Sequence, residues 1–166
     1  MEPRIEDLGP KKLVGMRARM SLANDSTAQL WRRLMPRRAE IRGRTSPFYV
    51  SMRVYDGSGN EIFAPEALYE KWAAVEVENH GSVPEGMEPY DLTGGKYAVF
   101  VHRGPASTFA DTMRFIFGRW LPESGYRLDC REHFELLEEG WDPNDPEAEE
   151  QIWVPIKSPL GQTDLL

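Results

Sequence analysis

Asp7-Leu8-Gly9-Pro10-Lys11-Lys12-Leu13-Val14-Gly15-Met16-Arg17-Ala18-Arg19 runs parallel to Asp91-Leu92-Thr93-Gly94-Gly95-Lys96-Tyr97-Ala98-Val99-Phe100-Val101-His102-Arg103. Each reads as Asp-Leu, a turn ending in Lys, then a strand. Identities are few, but the same elements follow in the same order in both halves. Ser26-Thr27 is placed to cap a helix carrying Leu30, Trp31, Leu34 and Met35 on one face. Ser107-Thr108 does the same for Phe109, Met113, Ile116, Phe117 and Trp120. Pro36 and Pro122 predict a helix end at or near each position. Two strands then follow in each half: Phe48 to Tyr55 and Trp72 to Glu78, then Tyr126 to Leu137 and Ile152 to Ile156. Both pairs enclose a polar insertion, Asp56 to Asn60 and Trp141 to Pro146.

The fold expected is therefore α+β: a tandem repeat of two strand-helix-strand-strand units, forming an antiparallel sheet with helices on one face and a ligand groove between the repeats. The chain of 166 residues is expected to be one domain, with repeats over about 3–78 and 88–157. Asn79 to Met87 is the expected linker, and residues 158–166 are expected to form a flexible tail.

Composition narrows the function. With 40% hydrophobic and 28% charged residues the chain can bury a core, which excludes disorder. A formal charge of −7 opposes phosphate backbones and anionic membranes and favours cationic or neutral ligands. The arginines Arg32, Arg33, Arg37, Arg38, Arg42 and Arg44 are a local exception, but no aromatics interleave them to stack bases, so they read as a solvated helix end and loop. Cys130 is the only cysteine, so no internal disulfide can form. The acidic N-terminus lacks the apolar run of a signal peptide, and no apolar run approaches membrane-spanning length. A cytoplasmic, unanchored protein is expected.

No metal and no cofactor are expected. His80 and His102 stand alone, without metal-ligand spacing. Gly94-Gly95-Lys96 lacks the upstream glycine of a phosphate loop and precedes a strand, and the Asp142 to Glu147 loop has Pro146 where a calcium ligand would stand.

Glu135 lies in His133-Phe134-Glu135-Leu136-Leu137, a lone carboxylate in an apolar strand-like run. Alternation puts Arg131, His133, Glu135 and Leu137 on one face, and Glu132, Phe134 and Leu136 on the other. Phe134 and Leu136 are expected to face the helices, leaving Glu135 on the opposite, groove-facing side. The aromatics Tyr49, Tyr55, Trp72, Tyr97, Phe100 and Trp153 all fall on expected strands, where ring faces could attract an organic cation or stack on a planar one. Alternation alone does not say which of them face the groove. The helical row Met113, Phe117 and Trp120 is explained by packing on the sheet.

The order Asp91-Leu92 to Arg103-Gly104-Pro105, helix, Phe134-Glu135-Leu136-Leu137, acidic stretch, then Gln151-Ile152-Trp153-Val154-Pro155-Ile156 resembles the GyrI-like (AraC-type) effector-binding domain. That module also forms the C-terminal half of some multidrug-sensing transcription activators. The resemblance runs from about Pro3 to Lys157. It implies that Glu135 projects into the groove and contacts cationic aromatic ligands. A desolvated Glu135 would have a raised pKa, and an arriving cation would restore its charge. Leu137 replaces a tyrosine often found in the family, so no pocket hydroxyl is expected there. The first strand begins close to Met1, with no DNA-binding helix-turn-helix before it, so a stand-alone module without direct DNA binding is expected.

Binding without turnover is the leading expectation. Two alternatives follow from the resemblance. One is a hydrolase of reactive small electrophiles, in which Glu135 activates water and Tyr55 or Tyr97 donates a proton. The other is a protein-partner role, as the gyrase-inhibitor name implies, with the acidic Glu132 to Glu150 region presented to a basic surface.

Overall fold

The computed structural model describes residues 1–57 and 60–159; the tail from residue 160, and residues 58 and 59 of the first insertion, lie outside the described residues. The chain forms β1 (Arg4–Leu8), β2 (Lys11–Met20), α1 (Thr27–Leu34), β3 (Arg44–Tyr55), β4 (Tyr69–Val77), β5 (Glu88–Leu92) and β6 (Gly95–Arg103). There follow α2 (Phe109–Phe115), a π-helical turn at Ile116–Trp120, α3 (Leu121–Ser124), β7 (Arg127–Leu128), β8 (His133–Leu137) and β9 (Glu149–Lys157). No helix is long and apolar enough to cross a membrane among the described residues.

The sheet runs β1-β6-β9-β8-β3-β4-β2-β5, with β7 paired to β9 off this path, and the pairs are antiparallel. Read from either end it exchanges β1 for β5, β6 for β2, β9 for β4 and β8 for β3, so the two repeats meet at β8 and β3. The sequence reading lacked one element per repeat. Its Asp-Leu lead-ins are strands, and they are swapped: β1 pairs with β6 of the second half and β5 with β2 of the first.

The helices α1 and α2 lie on one sheet face. Leu30 and Leu34 of α1 pack on Val14, Met16, Ala73 and Val75. Ile116, at the end of α2, packs on Ala98, Phe100, Ile152 and Val154. Burying side chains of this size contributes roughly 1.5–3 kcal/mol each. Ser26 and Thr108 occupy the N-cap positions without a side-chain cap bond. Instead Asp25 Oδ1 accepts from the Thr27 N–H at 2.9 Å, and Thr108 Oγ1 donates to the Pro105 carbonyl at 2.9 Å within a 3-10 turn. Pro122 sits in the first turn of α3, and the helix ends at Gly125, whose φ of 82° suits glycine.

The opposite face carries a second apolar cluster, including Leu13, Met52, Trp72, Tyr97, Phe134 and Trp153. Phe134 and Leu136 belong to it, so the expectation that they face the helices is corrected. Because the sheet is buried on both faces, apolarity could not mark the helix side. Tyr90 on β5 stands four strands from β8, about 19 Å across a flat sheet. Its hydroxyl nevertheless donates to Glu132 Oε1 at 3.0 Å, so the sheet is curled toward this face. Residues 129–132 break the single strand expected over Tyr126 to Leu137, because Arg131 reaches away to donate to the carbonyls of Gly94, Lys96 and Ile156.

At Gly15 a Cβ would lie 2.1 Å from the Ala73 carbonyl oxygen and 2.6 Å from the Ala74 Cα, both rigid backbone. Gly15→Ala is expected to cost about 1–3 kcal/mol, read as a lower urea midpoint at constant slope. An unchanged midpoint would contradict this close approach.

Candidate ligand-binding groove

Between α1 and α2 the central strands β3 and β8 are left uncovered, and a groove of about 910 Å³ opens over them. Strand register builds its floor. Ser51 lies opposite Glu135 on β8 and Ala73 on β4; Arg53 lies opposite His133 and Lys71; Glu150 on β9 lies opposite Leu137. Ser51, Arg53, Lys71, Glu135 and Glu150 all line the groove. Its walls are Trp31 and Met35 from the first helical segment, Tyr49, Phe109 at the start of α2, and Trp141 and Pro143 from the β8–β9 loop. That loop is tied to the second half by the Ala106 N–H donating to the Pro143 carbonyl at 2.8 Å. It reaches the first half through Glu139, which accepts from the Tyr49 hydroxyl at 2.5 Å and lies 3.7 Å from Arg38.

Glu135 is 4% exposed. Arg53 Nη1 donates to its Oε1 at 2.8 Å, while Oε2 has no partner among the described residues. Burial alone would push this carboxyl up, but Arg53 and Lys71 outweigh burial and hold it below the ordinary glutamate value. The expectation of a raised pKa is thereby corrected: Glu135 is charged and already has one cation beside it. The titrating groups are its neighbours. Burial, with nearby Arg53, pushes Lys71 down to about 7, and burial, with nearby Glu135, pushes Glu150 up to about 7. Burial and Arg53 also push His133 down to about 3, keeping it neutral. Among the described residues five carboxylates line the groove (Asp25, Glu135, Glu138, Glu139, Glu150) against two bases, Arg53 and Lys71.

Of the residues singled out in the sequence, Glu135 and Tyr49 line this groove. Trp72, Tyr97 and Trp153 are corrected to the opposite face, where Trp72 packs edge-on to Tyr90, Tyr97 donates its hydroxyl to the Glu132 carbonyl at 2.9 Å, and Trp153 stacks on Phe134. Phe100 is on the helix face but is covered by Trp120. Tyr55 points to a smaller cavity of about 90 Å³, packed against Tyr69 and His133. Neither tyrosine named as a proton donor for hydrolysis therefore lines the groove with Glu135. The acidic region proposed for a protein partner is also divided, since Glu132, Glu135 and Glu150 are buried and Glu138, Glu139, Glu147 and Glu149 exposed.

Arg53, Lys71, Glu150, Trp141 and the helical aromatics Trp31 and Phe109 were missed as groove residues. Lys71 and Glu150 carried a legible signal, because Lys71 interrupts the apolar alternate stripe Tyr69, Ala73, Val75 and Val77, and Glu150 heads the stripe Ile152, Val154 and Ile156. Trp141 carried none, since a loop has no periodicity.

The sequence matches the GyrI-like small-molecule-binding domain over residues 1–157. It is 31% identical over 157 residues to the transcriptional regulator BrlR of Pseudomonas aeruginosa, covering 94% of this chain and 56% of the regulator, so the chain spans little more than half of that relative. The fold is shared with a putative bacterial transcription regulation protein from Staphylococcus aureus MU50 (TM-score 0.69, 16% identity, 95% and 99% of the two chains). It is shared also with SAV2435, solved bound to tetraphenylphosphonium (TM-score 0.70, 18% identity, 95% and 94% of the two chains). A match over nearly the whole chain, on a sheet whose repeats frame an aromatic-walled groove, places this protein in the family of GyrI-like small-molecule-binding domains.

Proposed function

We propose that the groove binds cationic, amphipathic aromatic small molecules through Glu135, Tyr49 and the aromatic walls, without chemically changing them, for sensing or sequestration. The observation that carries this reading is the buried Glu135 carboxylate, whose Oε2 lacks a partner among the described residues on the floor of a groove walled by Trp31, Tyr49, Phe109 and Trp141. A ligand cation supplies the missing partner, and the ring faces attract its charge and stack on its aryl groups. The tetraphenylphosphonium complex of SAV2435 and the regulator BrlR support the same ligand class and a regulatory setting.

Calorimetric titration with tetraphenylphosphonium and with neutral triphenylphosphine oxide tests it. The cation is expected to bind at least about tenfold tighter, a difference of about 1.4 kcal/mol. Equal affinity would remove the charge from the explanation.

Acidification has a defined direction. Between pH 8 and pH 6 Glu150 takes up a proton and becomes neutral, while Lys71 takes up a proton and becomes positive. The groove grows more positive, so tetraphenylphosphonium affinity is expected to fall by about tenfold across this window. An affinity independent of pH between 6 and 8 would contradict the placing of these two groups at the ligand.

A further inference from the structure

Lys71 is 2% exposed and lines the groove, yet no hydrogen bond or ion pair engages its amine among the described residues. A buried ammonium is normally paired, because leaving it unpaired in a poorly solvated site is costly. Its strand partner across the sheet is another cation, Arg53, which is held by Glu135. The charged groups acting on Lys71 are Arg53 on β3, Glu135 on β8, Asp25 in the loop before α1 and Glu150 on β9. A desolvated lysine beside a second cation is the arrangement that turns an ammonium into a nucleophilic amine.

We infer that the groove also captures carbonyl compounds covalently, Lys71 forming an imine with an aromatic aldehyde or ketone seated among Trp31, Tyr49, Phe109 and Trp141. The inference rests on the groove being the ligand site. The neutral Nζ lone pair attacks the carbonyl carbon, forming the C–N bond, and the C=O π pair moves to oxygen, which takes a proton. The nitrogen of this adduct gives up one proton to leave the carbinolamine, whose hydroxyl takes up a second proton and departs as water as C=N forms, and the nitrogen then gives up its remaining proton to leave the neutral imine. Nothing is oxidised or reduced, and one water leaves for each imine. Glu150 lines the same groove and serves as the proton donor and acceptor, and the Trp141 Nε1–H, without a partner among the described residues, is available to the carbonyl oxygen. With Lys71 pushed down to about 7 by burial and Arg53, and Glu150 pushed up to about 7, both the free amine and the protonated acid are populated at neutral pH.

The test uses 2-naphthaldehyde with cyanoborohydride at pH 7, followed by peptide mapping. Reduction of the imine adds to the peptide the mass of the aldehyde less one oxygen. Labelling at Lys71 is expected to exceed that at the exposed Lys12 by about tenfold or more, to be blocked by excess tetraphenylphosphonium, and to vanish in Lys71→Arg and Lys71→Met. Labelling spread evenly over surface lysines, or none at Lys71, would overturn the inference. Tetraphenylphosphonium titration of the same wild-type sample separates the two readings: binding without labelling refutes imine capture alone, whereas loss of both refutes the groove itself.

Discussion

Glu135→Gln is expected to weaken tetraphenylphosphonium binding by about a hundredfold and to lower stability by about 3 kcal/mol at pH 7. Both effects come from one carboxylate. Its Oε2, without a partner among the described residues, is the acceptor proposed for the ligand cation, and its Oε1 neutralises Arg53, whose side chain is only 17% exposed. Glutamine preserves shape but leaves the guanidinium facing Lys71 without an anion, and the groove loses the charge that favours a cation. Removing one member of a buried pair is worse than removing both. Arg53→Met combined with Glu135→Leu is accordingly expected to recover most of the stability while cation binding stays lost. The pH dependence has a definite sign. Because the folded state holds Glu135 below its ordinary value, the stability it contributes is present above pH 4.5 and is lost as pH falls through the folded value. Glu135→Gln should lack that acid-side loss. Urea titrations of wild type, single and double variants at pH 7 and pH 4 read the stability, and calorimetry reads the binding. Unchanged affinity in Glu135→Gln would show that the ligand does not use this carboxylate.

The repeat was legible because it is written in element order: a strand, a helix carrying Leu30 and Leu34 or Ile116, then further strands in each half. Strand swapping was not legible. β1 and β5 are short, and their pairing partners are about 90 residues away in one case and about 80 in the other, a separation no local pattern reports. Glu135 was legible because a single acid interrupts an apolar strand. The aromatic wall was misassigned because a sheet buried on both faces has large rings on both, and Trp72 and Trp153 each directly follow a residue of the helix face, Lys71 and Ile152. Apart from Tyr49 on β3, the groove's aromatics come instead from α1, α2 and a loop, whose approach to the sheet depends on how the two halves pack. The same failure hid the charge pattern. Arg53, Lys71 and Glu135 are dispersed in sequence and meet only through the registers of β3 with β4 and β8.

Lys71→Met should make the protein more stable, by about 2–4 kcal/mol at pH 7. Pushing a lysine from 10.5 to about 7 disfavours the folded state, at about 1.4 kcal/mol per unit, to a ceiling of about 5 kcal/mol. Between pH 7 and 10.5 the unfolded chain binds more protons at this residue than the folded one, so its unfavourable contribution shrinks and stability rises with pH. Glu150 acts the other way below pH 7. Its raised value means that the folded state holds the extra proton between 4.5 and about 7, so stability falls as pH rises through that window. Together the two groups place a minimum of stability near pH 7, and methionine, of similar length and apolar, removes its alkaline arm. Urea titrations from pH 6 to 9 on wild type and Lys71→Met test this. A variant less stable than wild type, or one keeping the full alkaline rise, would show that Lys71 is a structural partner of Glu135. The predicted gain bears directly on function, because the floor position is otherwise suited to an apolar residue beside Tyr69 and Ala73. A lysine that weakens the fold where methionine would strengthen it is explained by what it does to a molecule in the groove, as stability and site chemistry commonly oppose each other.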